Sequence, residues 1–338
     1  MLHSCNIKVF DELMEANGHP MSRPHPQVEF AVIVQNKGVQ NNVVEDLFVQ
    51  VDGVRVHYRR AGSGPPLLLI HGLVGSARNW NRNIEGLSRD ATVYAIDLLN
   101  MGESDRVPGL DAGLEATADF VAHWMQAVGL TEVDVAGVSH GGAIAMTLAS
   151  RHPARVRKLI LFAPANPFCD LGRQLIAFYK TRPGQWLARL IPSLPRFVKA
   201  TALGRMYGDP SHVTQEALEG YTDGLAIPGT VDHVLAIVRR WYVDMGLLRS
   251  ALPRLANRSV LMIWGDRDRA VGLSSARELQ QILPNSQLLV LPGAGHLAFE
   301  EKADVCNRAM RDWLAAEQTA PAFKIRPTSE KLQRLEAI

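Results

Sequence analysis

Between Val133 and Met146 the chain passes from an apolar strand to a helix through a turn with a serine at its centre. Val133-Asp134-Val135-Ala136 leads into Gly137-Val138-Ser139-His140-Gly141-Gly142, and Ala143-Ile144-Ala145-Met146 follows. Few architectures accommodate such a segment. A serine on a regular strand or helix is half covered by its neighbours. A strained strand-to-helix turn lifts the hydroxyl clear and aims the first N–H groups of the helix at whatever sits beside it. Gly137 and Gly141 fit the same turn, because a Cβ at either place would collide there. Glycine-flanked serines also occur in plain turns, so the rest of the chain has to separate the two readings.

Strand-like runs recur along the chain. Residues 47–51 and 54–58 alternate with a period of two about an Asp52-Gly53 hairpin turn. Further runs follow at 67–70, 92–96, 133–138, 158–162, 260–264 and 287–291. Helical patterns such as 114–128 and 303–315 separate most of them. This alternation predicts an α/β fold with an eight-stranded, mostly parallel sheet and helices on both faces. The repeat breaks between Phe162 and Val260, where residues 165–250 carry helical patterns interrupted by Pro183, Pro192, Pro195, Pro210 and Pro228.

A serine hydroxyl needs a base to take its proton, and the base needs an orienting acid. In this architecture the chain order is serine, then Asp or Glu, then His. Gly265-Asp266-Arg267-Asp268 follows the run at 260–264, and Pro292-Gly293-Ala294-Gly295-His296 follows the run at 287–291. Both segments sit past C-terminal strand ends, the edge at which open α/β sheets bind ligands. His296 is the expected base. His123, within an amphipathic helix, and His152, before Pro153, read as surface or packing residues. Asp268 is preferred as the acid. Asp266 remains the alternative, or a cap on its own loop. The stretch His71-Gly72-Leu73-Val74-Gly75 follows another buried strand and supplies a backbone donor. The N–H groups of Leu73 and His140 are the expected oxyanion hole, with Gly72 the alternative to Leu73 and His71 structural. The His140 ring is expected to turn away from the serine.

Over residues 46–316 the chain resembles the α/β-hydrolase fold family. The resemblance rests on His71-Gly72, the Ser139 turn, Trp264-Gly265-Asp266-Arg267-Asp268 and Gly295-His296. It implies the triad Ser139, Asp268 and His296, and a helical cap inserted at 165–250. Some relatives place the acid one strand earlier, but here that strand runs into Pro164-Ala165-Asn166, with no carboxylate. The family's Asp-x-Pro-Gly-x-Gly-x-Ser loop appears as Asp97-Leu98-Leu99-Asn100-Met101-Gly102-Glu103-Ser104, so the loop shape is in question and Asp97 reads as its anchor. Family members with an Asp nucleophile, the haloalkane dehalogenases and epoxide hydrolases, are excluded by Ser139. Haloperoxidases without cofactor and proline iminopeptidases share the triad. Carbon–carbon bond hydrolases also use serine, but often carry Trp after the catalytic His, where this chain has Leu297.

The expected organisation is an extension or linker at 1–44, a core at 45–164 and 251–317, the cap at 165–250 and a loosely ordered tail at 318–338. Residues 30–34 are apolar enough for a short extra strand. A net charge of +2 gives no reason to expect nucleic acid as a partner. No apolar run is long enough to span a membrane, and the start lacks a secretory pattern. Three widely spaced cysteines read as free thiols in a reducing, cytoplasmic setting. No metal or other cofactor is expected, and substrate contacts are left unassigned. Aromatics at 168–242 are expected to pack the cap and line an apolar pocket, and Arg239 or Arg240 could meet a substrate carboxylate. The expected activity is a serine hydrolase cleaving small or medium carboxylic esters with an apolar acyl or aryl part. The alternatives are a carbon–carbon bond hydrolase acting on a ketone, and a ligand-binding member without catalysis.

Overall fold

The computed structural model describes residues 43–169 and 172–316. Strands β1 (Glu45–Val51) and β2 (Val54–Ala61) form an antiparallel hairpin. Asp52 and Gly53 take φ of 50° and 84°, the left-handed pair whose twist suits a two-residue hairpin turn. Then follow β3 (Pro66–Ile70), α1 (Asn81–Leu87), β4 (Thr92–Ile96), α2 (Leu114–Ala127), β5 (Val133–Val138), α3 (His140–Arg151) and β6 (Val156–Phe162). Helices α4 (Arg173–Tyr179), α5 (Arg182–Leu190), α6 (Arg196–Gly204), α7 (Gln215–Thr222) and α8 (Thr230–Ala251) come next. The chain closes with β7 (Val260–Gly265), α9 (Ser274–Ile282), β8 (Ser286–Leu291), α10 (Ala298–Glu301) and α11 (Ala303–Ala315).

The eight strands form one sheet in the order β1-β2-β4-β3-β5-β6-β7-β8, parallel from β4 through β8 with the β1–β2 hairpin antiparallel at one edge. This is the expected α/β-hydrolase fold. The order reverses at β3, which lies between β4 and β5. Ligands bind at such a reversal. The loop after β3 and the turn after β5 are therefore neighbours, although 60-odd residues of chain part them.

Alternation along the strands feeds two cores. Leu68, Ile70, Val135, Leu159, Leu161, Met262 and Trp264 face one side, with Trp124 and Met125 of α2 and Ile144 and Leu148 of α3. Leu67, Leu69, Ala136, Val138, Ile160, Phe162 and Ile263 face the other, with Ile84 of α1 and Met310 and Trp313 of α11. Each burial of a Leu or Ile side chain contributes about 1.5–3 kcal/mol before entropy is counted. Because the side-chain period is two, a slip of one residue would turn each strand's two faces over.

Two of the prolines between β6 and β7 lie at helix starts. Pro183 lies in the first turn of α5, and Pro195 is the cap residue of α6. The fixed φ of proline suits that position, where its missing N–H costs nothing. The expected extra strand at 30–34 and the tail at 318–338 lie outside the described residues.

Candidate active site

Ser139 sits between β5 and α3 with φ 53° and ψ −119°. A non-glycine residue with positive φ costs about 1–3 kcal/mol and persists only where its surroundings hold it. Here the backbone does so. Ser139 N donates to Phe162 O at 2.9 Å, and Ala165 N donates to Ser139 O at 2.8 Å. A Cβ on Gly137 would overlap the carbonyl of Gly141, and one on Gly141 would overlap the carbonyl of His71. Both glycines are thus required by the close approach of backbone in the turn.

His296 follows β8, and its Nδ1 donates to Asp268 Oδ2 at 2.8 Å. The Asp268 carboxylate is fully buried. Its other oxygen accepts from Ala270 N at 2.8 Å and Val271 N at 2.9 Å. The bond at Nδ1 leaves the lone pair of the neutral ring on Nε2. His296 N donates to Met206 O at 2.7 Å, which ties the histidine loop to the chain after α6. Asp266 is exposed and turned elsewhere: its Oδ1 accepts from Gly293 N at 2.7 Å and staples the two loops together.

Gly75 N donates to Gly72 O at 3.1 Å, closing a turn with Leu73 and Val74 at its centre. Val74 has φ 67°, a strained value for a β-branched residue. The turn does not use the N–H of Leu73, and the N–H of His140, first in α3, is one of the unpaired donors of a helix start. His71 holds the loop with both ring nitrogens: Nδ1 donates to Gly72 O at 2.8 Å, and Nε2 accepts from Leu98 N at 3.1 Å. Burial lowers its pKa.

The loop after β4 is held by the side chains of Asn100 and Asp97 where Pro-Gly is lacking. Asn100 takes the left-handed φ of 64°, which Asn tolerates better than most side chains. Its side chain secures the loop, accepting from Val107 N at 2.5 Å and donating to Val107 O at 3.2 Å. Asp97 accepts from Ala77 N at 2.6 Å, Glu103 N at 2.8 Å and the His57 ring at 2.7 Å. Burial alone would raise its pKa, but His57 and the other partners hold it below the usual carboxylate range.

A cavity of about 230 Å³ begins at His71, Gly72, Leu73 and His140 and runs between the loop after β4 (Leu98, Leu99, Met101), α2 (Phe120) and α8 (His233, Ile237). Its exposed end carries Asp52 and His123, hydrogen-bonded through Oδ2 and Nδ1 at 2.7 Å. The inner end adjoins the serine, since a Cβ on Gly72 would sit 3.5 Å from Ser139 Cβ. Burial pushes His140 down to about 3 and His233 down to about 4, the latter helped by nearby Arg106. Both rings are neutral near pH 7. Among the described residues no Lys or Arg lines the cavity. Arg239 is exposed, and Arg240 faces Asp244 at 3.5 Å and Asp111 at 3.8 Å. Neither arginine meets the cavity.

The His140 ring is buried, lines the cavity and lies 6.2 Å from the Trp241 ring. His233 and Ile237 were not singled out in the sequence, and Trp241 was read only as one of the aromatics of 168–242. Their spacing of four puts them on one face of α8, and that spacing was the available signal.

Glu300, four residues beyond His296, is buried beneath the segment between β6 and β7. It accepts from Tyr207 Oη at 2.5 Å and Tyr221 Oη at 2.7 Å. Burial pushes its pKa up to about 7 from 4.5, against the pull of the two hydroxyls. The fold therefore prefers the protonated acid, and stability falls as pH rises from the unfolded value through about 7. Glu300→Gln should remove that fall. The stability of the variant relative to wild type should climb by about 3 kcal/mol between about pH 5 and pH 8 in denaturant titrations. A difference that stays level across that window contradicts the assignment.

A family model for the alpha/beta hydrolase fold matches residues 65–303. The chain belongs to the α/β-hydrolase fold family. Among its relatives is the dihydrolipoyllysine-residue acetyltransferase component of the acetoin cleaving system of Pseudomonas putida, 30% identical over 74% of this chain. The chain spans 64% of that protein's length. Another relative is the 2-hydroxy-6-oxo-2,4-heptadienoate hydrolase of Pseudomonas putida strain F1, 28% identical over 80% of this chain and 96% of the relative. Among solved structures, the 2-hydroxy-6-oxo-6-phenylhexa-2,4-dienoate hydrolase of Rhodococcus sp. strain RHA1 matches with a TM-score of 0.68, covering 81% of this chain and 100% of that one. At 22% identity that likeness is one of fold. Among the described residues no helix is long and apolar enough to cross a membrane.

Proposed function

We propose that this α/β hydrolase cleaves small or medium carboxylic esters with an uncharged, apolar acyl or aryl part, through an acyl-enzyme on Ser139. His296 Nε2 takes the Ser139 proton as the hydroxyl attacks the carbonyl, and returns it to the leaving alcohol. Asp268 holds the tautomer of His296 and stabilises the charged ring. The N–H groups of Leu73 and His140 receive the oxyanion, each contributing roughly 10²–10³ in rate. Water then repeats the cycle on the acyl-enzyme.

The observation that supports the ester reading is the cavity beside the serine, whose inner part is lined by apolar groups and by His140 and His233, both kept neutral by burial, with no described Lys or Arg in the lining. A dienoate substrate brings a carboxylate, and burying an unpaired charge there would be costly. The second reading is hydrolysis of a carbon–carbon bond next to a ketone, favoured by the dienoate hydrolases among the relatives. A p-nitrophenyl ester series from acetate to decanoate, run beside a dienol keto acid, separates them. Ester turnover with an optimum at one chain length is expected. Cleavage of the keto acid with no ester turnover would replace the ester reading. Inertness to both, with a ligand-dependent rise in Tm, would make the protein a binding member of the family.

A further inference from the structure

Helix α5 is built inside out. Its buried positions are Gly184 and Ala188, whereas Trp186, Leu187 and Leu190 are exposed, Trp186 at 61%. An amphipathic helix normally turns its large apolar residues inward. The same inversion continues along the neighbouring elements. Leu175 and Phe178 of α4 are exposed, as are Leu194 and Phe197 around the start of α6, Phe197 at 72%. Helix α8, which packs against α4 and α5, adds Tyr242, Val243 and Leu247. The expectation that these aromatics pack the cap is thus corrected for Phe178, Trp186, Phe197 and Tyr242. Large apolar residues exposed together on adjoining helices mark an interaction site.

Its charge is one-sided. From 173 to 205 the chain carries Arg173, Lys180, Arg182, Arg189, Arg196, Lys199 and Arg205, and no Asp or Glu. Among the described residues, Arg189 pairs with Asp232 at 2.8 Å and Arg196 with Glu219 at 3.6 Å. Arg182, Trp186, Arg189 and Leu190 fall at helical spacings of four and seven to eight, so basic and apolar groups share the outward side of α5. Long basic side chains can lie along an apolar surface and keep their heads in a polar layer.

We propose that the face formed by α4, α5 and the start of α6 docks on an anionic phospholipid surface. Trp186, Phe197 and the leucines enter the boundary between headgroups and acyl chains, while the basic residues meet lipid phosphates. This combination of large apolar residues and Lys/Arg on a surface helix suits an interface rather than a spanning segment. A second copy of the chain fits less well. A two-fold contact through this face would set one basic surface against another.

The test is flotation of the full-length chain with vesicles of phosphatidylcholine alone and of phosphatidylcholine mixed with phosphatidylglycerol. The variants are Trp186→Asp with Phe197→Asp, and Lys180→Glu with Arg182→Glu. All four positions are exposed, and circular dichroism confirms the fold independently of any ester assay. Binding to the mixed vesicles should exceed binding to the neutral ones and weaken with salt, and each variant should lower it at least about tenfold. The proposal is overturned by equal binding to both vesicles, or by binding that neither variant changes. A lipid-free dimer lost in the same variants would reassign the face to a second copy.

Discussion

Replacing Ser139 by Ala should lower ester turnover by about 10⁴–10⁶-fold while leaving the protein folded. The size of the loss follows from the chemistry. Without the hydroxyl there is no acyl-enzyme, and His296 has no proton to take. Rate above that of water would then come only from the oxyanion donors and from binding. The substitution removes a single oxygen from a residue whose backbone, not its side chain, holds the turn between Phe162 O and Ala165 N. A measured rate within tenfold of wild type would show that another group makes the attack.

Asp268→Asn should cost about 10⁴ in kcat, by disturbing the tautomer and the charge of His296. Asp266→Asn should cost far less. The two residues are two apart in sequence, yet their carboxylates do different things. One is buried against His296 Nδ1 and two backbone N–H groups. The other is exposed and bonds Gly293 N, a contact an Asn side chain oxygen can also make. Kinetics of the pair, with Tm measured alongside, separates the roles. A large loss in Asp266→Asn with near-normal turnover in Asp268→Asn would exchange them.

The fold was legible in the sequence because it depends on local patterns. Eight short apolar runs, a two-residue turn at Asp52-Gly53 and helical stretches between them leave little choice once parallel strands need covering on both faces. The serine turn was legible for the same reason: its glycines and strand–helix context lie within ten residues. Asn100 shows the limit of a motif. The chain lacks the usual Pro-Gly, and Asn100 takes a left-handed φ there, which Asn tolerates better than most side chains. What could not be read was set by tertiary contact. Glu300 looks like one of two ordinary surface acids until Tyr207 and Tyr221 close over it. The aromatic residues of α4–α6 look like core until Gly184 and Ala188 prove to be the inward positions. Periodicity finds the two sides of a helix, but not which side the rest of the protein will cover.

The measurement that tests the central claim most directly is peptide mass mapping of the enzyme during turnover of a p-nitrophenyl ester, quenched in acid. The account predicts an acyl group on the peptide containing Ser139, formed with a burst of p-nitrophenol close to one equivalent of enzyme and absent from Ser139→Ala. Turnover of the ester with no acyl group on Ser139, or with the group on another residue, would contradict it.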